Sequence, residues 1–95
     1  MAYSATMLEK ELLITNRLGL HARAAAKLVQ ILSSFQSRAL LSANGKEINA
    51  KSIMGVLMLA AAQGTSVKLT LDGTDESTAL AAVVALFERK FDEAD

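Results

Sequence analysis

Polar and apolar positions change period several times along the chain, and each change predicts an element. Over 8–15, Glu and Lys mix with Leu12, Leu13 and Ile14, with Leu12 and Ile14 on one face and a polar opposite face, as in an opening strand. After the loop NRLGL, Ala25, Leu28, Val29 and Leu32 recur at i, i+3, i+4 and i+7, while Arg23, Lys27, Gln30 and Ser34 fall mainly elsewhere. This predicts an amphipathic helix beginning at or just after His21. A strand is expected over 37–43, and Asn44-Gly45 then signals a type I′ hairpin, because both residues tolerate positive φ, with a return strand over 46–50. Ser52 ahead of Ile53, Met54, Val56 and Leu57 predicts a short N-capped helix closing near Gln63-Gly64 and weakened by Gly55.

Val67, Leu69 and Leu71 alternate with Lys68, Thr70 and Asp72, the signature of a half-buried strand. Leu80, Val83, Val84, Phe87 and Phe91 then form a helical stripe, with Asp75 and Glu76 expected in the first turn and Arg89 and Lys90 in the last, matching the helix dipole at both ends. The order is βαββαβα. Alternating strands call for a mostly antiparallel sheet with one solvated face, so all three helices must cover the other. The expected fold is α+β, an open-faced two-layer sandwich.

Composition narrows what such a fold does. The 95 residues suit one domain, spanning 1–95, with no room for a second. The mainly apolar run 52–65 is broken by Gly55 and too short for a bilayer, and the start MAYSATMLEK lacks the pattern of an export signal, so a cytoplasmic protein without membrane insertion is expected. With no cysteine and a single histidine, disulfides, thiol chemistry and an ordinary metal site are not expected, and no cofactor is implied. Ten basic residues balance ten acidic ones, and one Tyr with no Trp offers no stacking platform, which argues against nucleic acid as a partner.

The lone histidine stands where chemistry is available. At a helix N-terminus the first N–H groups lack intrahelical acceptors and carry partial positive charge, so an anion is stabilised there. Imidazole is a nucleophile able to carry a phosphoryl group on a ring nitrogen, and at His21 that dianion would meet the N–H groups of Ala22 and Arg23. Arg23 adds a charge-assisted bond from its guanidinium. Attack requires a neutral ring, which the dipole and Arg23 both favour by disfavouring imidazolium. Gly19 lets the loop turn tightly and is expected to leave room for a phosphate donor.

GLHAR followed by Ala-Ala, the segment SANGKEINAKSIMG and the stretch QGTSVKLTLDGTDE together resemble the HPr family, the histidine-containing phosphocarrier proteins of the bacterial phosphotransferase system. The resemblance runs from about Leu12 to Phe91. It implies a four-stranded antiparallel sheet ordered 1-4-2-3 and a monomeric carrier that is a substrate of other phosphotransferases, not an enzyme itself. It further implies that His21 accepts phosphate at Nδ1 from enzyme I, charged by phosphoenolpyruvate, and passes it to a histidine on a downstream acceptor of the enzyme IIA type. Arg23 corresponds to the family's phosphate-binding arginine. Ala24 departs from the usual proline just inside the helix, a position where proline presets φ. The ending ALAAVVALFERKFDEAD resembles the nitrogen-related branch, whereas KSIMG resembles the kinase-regulated carbohydrate branch.

Ser52 has an ordinary role as a helix cap, contributing about 1 kcal/mol. The resemblance adds a second, since KSIMGV looks like the regulatory site that HPr kinase/phosphorylase modifies. Phosphoserine brings about −1.5 to −2 charges. Beside Ile53, Met54 and Leu57 it would enter an apolar docking surface, which with Leu20 is the expected partner-binding patch, because so short a helix cannot turn all of them inward. Met58 fits either this patch or plain core packing. Two other classes remain to be weighed. A small enzyme acting on acyl phosphates would need a phosphate cradle and a residue to place water, and neither is evident. A regulatory binding domain of the same fold would act without phosphohistidine.

Overall fold

A computed structural model of the chain describes residues 7–93. Four strands, β1 (Leu8–Leu13), β2 (Arg38–Ala43), β3 (Lys46–Asn49) and β4 (Ser66–Asp72), form one antiparallel sheet in the order β1-β4-β2-β3. The helices are α1 (Ala22–Ser33), α2 (Ile53–Met58) and α3 (Glu76–Glu88). The expected βαββαβα order and 1-4-2-3 sheet are therefore observed. Among the described residues no helix is long and apolar enough to cross a membrane.

Register explains which residues become core. Leu12 pairs with Val67, and Leu41 with Leu69. These side chains, with Ile14, Ala39 and Leu71, are buried on the face that receives the helices. From above come Ala25, Leu28 and Leu32 of α1, Val56 of α2, and Ala79, Val83, Leu86 and Phe87 of α3, all buried. The opposite face carries Leu13, Lys68 and the Glu9–Lys68 ion pair at 3.8 Å. Thr70 belongs to that open face yet is only 8% exposed, because Glu9 and Leu40 flank it on the neighbouring strands. The hairpin between β2 and β3 turns as its sequence requires, with φ of 54° at Asn44 and 77° at Gly45.

The first three strands are one or two residues shorter than expected, β1 ending at Leu13 rather than Thr15, and two helix ends move as well. The second helix does not run to Gln63-Gly64. It stops at Met58, and Ala60 takes a left-handed φ of 51°. Its last carbonyls are claimed from the hairpin instead, Lys46 Nζ donating to Met58 O and Asn44 Nδ2 to Leu59 O, each at 3.2 Å. At the other end of the chain, Arg89 and Lys90 are not in the last turn of α3, and Phe91 is not on its helical stripe. Lys90, Phe91 and Asp92 are three successive left-handed residues, with φ of 54°, 57° and 62°. Each costs on the order of 1 kcal/mol. Burial of Phe91 against Phe87, with ring centroids 4.8 Å apart, favours the reversal. Lys27 secures it by donating to Phe91 O at 3.1 Å and pairing with Asp92 at 3.2 Å.

The loop from β1 into α1 is docked on the segment after α2. Leu20 N–H donates to Ala61 O at 2.9 Å, and Gly19 has a φ of 66°. A Cβ on Gly19 would lie 2.6 Å from Ala61 O and 2.9 Å from Ala62 Cα. The glycine therefore serves this close approach of two backbones, which corrects the expectation that it leaves room for a donor. Gly19→Ala combines a left-handed alanine with that collision, and is expected to lower the urea unfolding free energy by about 2 kcal/mol; an unchanged midpoint would show that the loop shifts freely.

Asp75 ties α3 to the end of the α1–β2 loop. Its carboxyl is held below the ordinary carboxylate range by the Ser37 hydroxyl and then by the Gln36 N–H, against some desolvation, with the Ser37 N–H adding to the lowering. A carboxyl depressed in the folded state stabilises fully above its unfolded pKa, and the contribution disappears as pH falls through the folded value. Urea midpoints of the wild-type protein should thus drop below pH ~4 more steeply than those of Asp75→Ala. Parallel acid profiles would remove Asp75 from the account.

Candidate functional site

His21 is the N-cap residue of α1, extended at φ −78° and ψ −178°, and its carbonyl accepts the Ala25 N–H at 2.8 Å. Its side chain makes no capping bond. The N–H groups of Ala22 and Arg23 thus open the helix without intrahelical acceptors, where the dipole is positive. The imidazole is 28% exposed, in a shallow pocket lined by Leu18, His21, Ala22, Arg23 and Glu93. Ala22 and Arg23 therefore line one hollow with the ring. Ala24 is fully buried beneath this turn. Its methyl group takes part in the core, and the helix starts at Ala22 without a proline.

The structure adds a group with no counterpart in the sequence reading. Glu93 Oε2 contacts His21 Nε2, while Asn16 Nδ2 donates to Glu93 Oε1 at 3.1 Å and to Gly19 O at 2.8 Å. Burial pushes the Glu93 carboxyl up, but the hydrogen bonds from His21 and Asn16, helped by the nearby charge of Arg23, outweigh it and hold the group below the ordinary range. A carboxylate only accepts, so a neutral imidazole in this contact donates from Nε2 and keeps its lone pair on Nδ1. Among the described residues Nδ1 has no hydrogen-bond partner. The sequence reading surrounded the ring with cationic influences alone; the folded protein balances them with an anion.

Asn16 and Glu93 were invisible for different reasons. Asn16 stands in the quoted loop, but a loop asparagine is ordinarily solvated, and nothing local announces that this one is fully buried. Glu93 is 72 residues from His21 in the chain, so only the reversal after α3 brings it near. Leu18 left a trace: an apolar residue between Arg17 and Gly19 with no periodic partner, 61% exposed beside the ring.

The remaining candidates divide. Ser52 is the N-cap of α2, its Oγ accepting the Gly55 N–H at 3.0 Å. Ile53, Met54 and Met58 are exposed by 43%, 68% and 59%. Leu20 is only 4% exposed, which corrects its assignment to the docking patch: the bond of its N–H to Ala61 O draws it down and its side chain joins the core. Leu57 is half-buried and packs on the core, because it follows the fully buried Val56 on a helix of six residues. It offers at most an edge. Among the described residues no group of three or more His, Cys, Asp or Glu is placed to hold a metal ion.

Comparison with known proteins places this arrangement. Residues 8–89 match the family model described as the PTS HPr component phosphorylation site. The phosphocarrier protein HPr of Xylella fastidiosa strain 9a5c is 61% identical over 87 residues, covering 92% of this chain and 98% of the relative. The phosphocarrier protein NPr of Shewanella violacea is 43% identical over 89 residues, covering 94% and 98%. In three dimensions the chain is similar to HPr from Thermoanaerobacter tengcongensis, with a TM-score of 0.88 at 45% identity, covering 93% of this chain and 99% of that one. Matching the family model over almost all of its folded part, the chain belongs to the HPr family of phosphocarrier proteins of the phosphotransferase system.

Proposed function

We propose that this protein carries a phosphoryl group on Nδ1 of His21, received from phosphoenolpyruvate-charged enzyme I and handed to a histidine of an enzyme IIA-type acceptor, in the cytoplasm and as a single copy. One observation carries the reading: an accessible imidazole, whose Nδ1 has no hydrogen-bond partner among the described residues, heads a twelve-residue helix and lines a hollow with Ala22 and Arg23. The ring supplies the nucleophile, the N–H groups of Ala22 and Arg23 and the Arg23 guanidinium offset the charge of the bound phosphoryl group, and partner enzymes supply the rest of the transfer site. The protein is then a substrate rather than a catalyst. A regulatory domain working without phosphohistidine would have no use for this accessible ring.

Incubation with phosphoenolpyruvate and enzyme I is expected to label the protein with acid-labile, alkali-stable phosphate, and His21→Ala to take up none. Arg23→Ala, lacking one charge-assisted bond, should slow labelling about 10- to 100-fold. Stable labelling of His21→Ala would move the acceptor elsewhere.

We further propose that Ile53 and Met54, exposed on α2, with Leu18 beside the ring, form the apolar contact for enzyme I. A serine kinase acting at Ser52 would place a phosphate at the edge of that surface and so weaken docking. Both Met54→Asp and Ser52→Asp should raise the enzyme I dissociation constant, Met54→Asp by about tenfold or more. Calorimetric titration reads this directly; wild-type affinity in both variants would remove the patch and its regulation together.

A further inference from the structure

We infer that Glu93 is a positioning residue for phosphoryl transfer: held by Asn16, its carboxylate keeps the hydrogen on His21 Nε2 and the lone pair on Nδ1, and stabilises the cationic ring formed when Nδ1 takes the phosphoryl group. The inference rests on His21 being the acceptor, as proposed above. Its support is the way Glu93 is held. Asp92, the adjacent acid, has 45% of its side chain exposed, whereas Glu93 has 13% and turns inward. The same fully buried Asn16 amide binds Gly19 O, in the loop before the histidine, and Glu93 Oε1, against it. Phe91 in the core and Lys27 on its carbonyl hold the approach of the chain, in a left-handed conformation that non-glycine residues keep only where their surroundings impose it.

The chemistry balances without an added proton. The Nδ1 lone pair attacks phosphorus, a P–N bond forms at Nδ1, and the bond to the donor breaks with its electron pair leaving on the donor. His21 retains its Nε2 hydrogen and becomes a phosphoimidazolium whose positive charge lies beside the Glu93 carboxylate. In the onward step the P–Nδ1 bond breaks, its electron pair returns to Nδ1, and a neutral ring remains with the hydrogen still on Nε2. The opposite tautomer has no lone pair on the attacking nitrogen. A carboxylate that fixes a histidine tautomer and supports its cationic form is the arrangement through which serine hydrolases orient their base, and it raises the basicity of the other ring nitrogen.

The test uses unphosphorylated wild type, Glu93→Gln and Glu93→Ala, each 15N-labelled at histidine, at a pH where the ring is neutral, with enzyme I-dependent labelling rates measured in parallel. Wild type should show hydrogen on Nε2. Glu93→Gln, whose amide can donate to Nε2, should shift the ring toward hydrogen on Nδ1, with Glu93→Ala intermediate, and labelling should slow about 10- to 100-fold in Glu93→Gln. Unchanged rates in both variants overturn the inference whatever the tautomer does. Slower labelling with an unchanged tautomer overturns it too, since Glu93 would then act only by anchoring the chain end. If wild type takes up no phosphate at all, the acceptor reading fails, while the tautomer measurement still decides whether Glu93 orients the ring.

Discussion

The docking of the β1–α1 loop onto residues 61 and 62 governs the geometry of everything around His21. Two backbones meet where Gly19 has no side chain, and the Leu20 N–H closes the contact on Ala61 O. That single bond has three consequences. It sets the angle at which the chain enters α1, and therefore where the first-turn amides point. It drags Leu20 into the core, and it leaves Leu18, one residue before the glycine, outside and beside the ring. A helix N-terminus attracts anions wherever it occurs. Here the loop contact decides that an imidazole stands in front of it.

Charge around the ring is a balance of several small terms. The positive end of α1 and Arg23 contribute positive charge, and the Glu93 carboxylate, at Nε2 and itself near Arg23, opposes them. None of these groups is far from water, so each is screened, and their effect depends on geometry more than on the number of charges. Asn16 is the element that makes the geometry definite, because one buried amide bridges the histidine loop and the chain end. The reversal at Lys90, Phe91 and Asp92 carries its own conformational cost, which burial of Phe91 and the contacts of Lys27 offset.

The open sheet and the short second helix reflect the same economy of surface. A chain of 95 residues buries one face of one sheet, and the other face stays polar. With α1, α3 and Val56 filling the covered side, the rest of α2 has nowhere inward to go. Its exposed Ile53, Met54 and Met58 follow from its length, since six residues make less than two turns and present only part of their circumference to the core.

The sequence by itself determined the architecture, because periodicity reports which face is buried and that is a local property. The period-two strands, the Asn44-Gly45 hairpin, the amphipathic α1 and the stripe of α3 each follow from neighbours within about a turn or a strand pair. The family motifs, which lie in contiguous segments, were legible for the same reason, and so were His21, Arg23 and Ser52 as candidates. The tertiary structure alone decided the early end of α2, the departure of Phe91 from its helix, the burial of Leu20, and the meeting of Asn16 and Glu93 with His21. These depend on contacts between segments distant in the chain, such as Lys46 with Met58, Leu20 with Ala61, or Lys27 with Phe91. Local pattern carries no record of such meetings, since partners about seventy residues apart share no periodicity and are brought together only when the rest of the fold closes the chain between them.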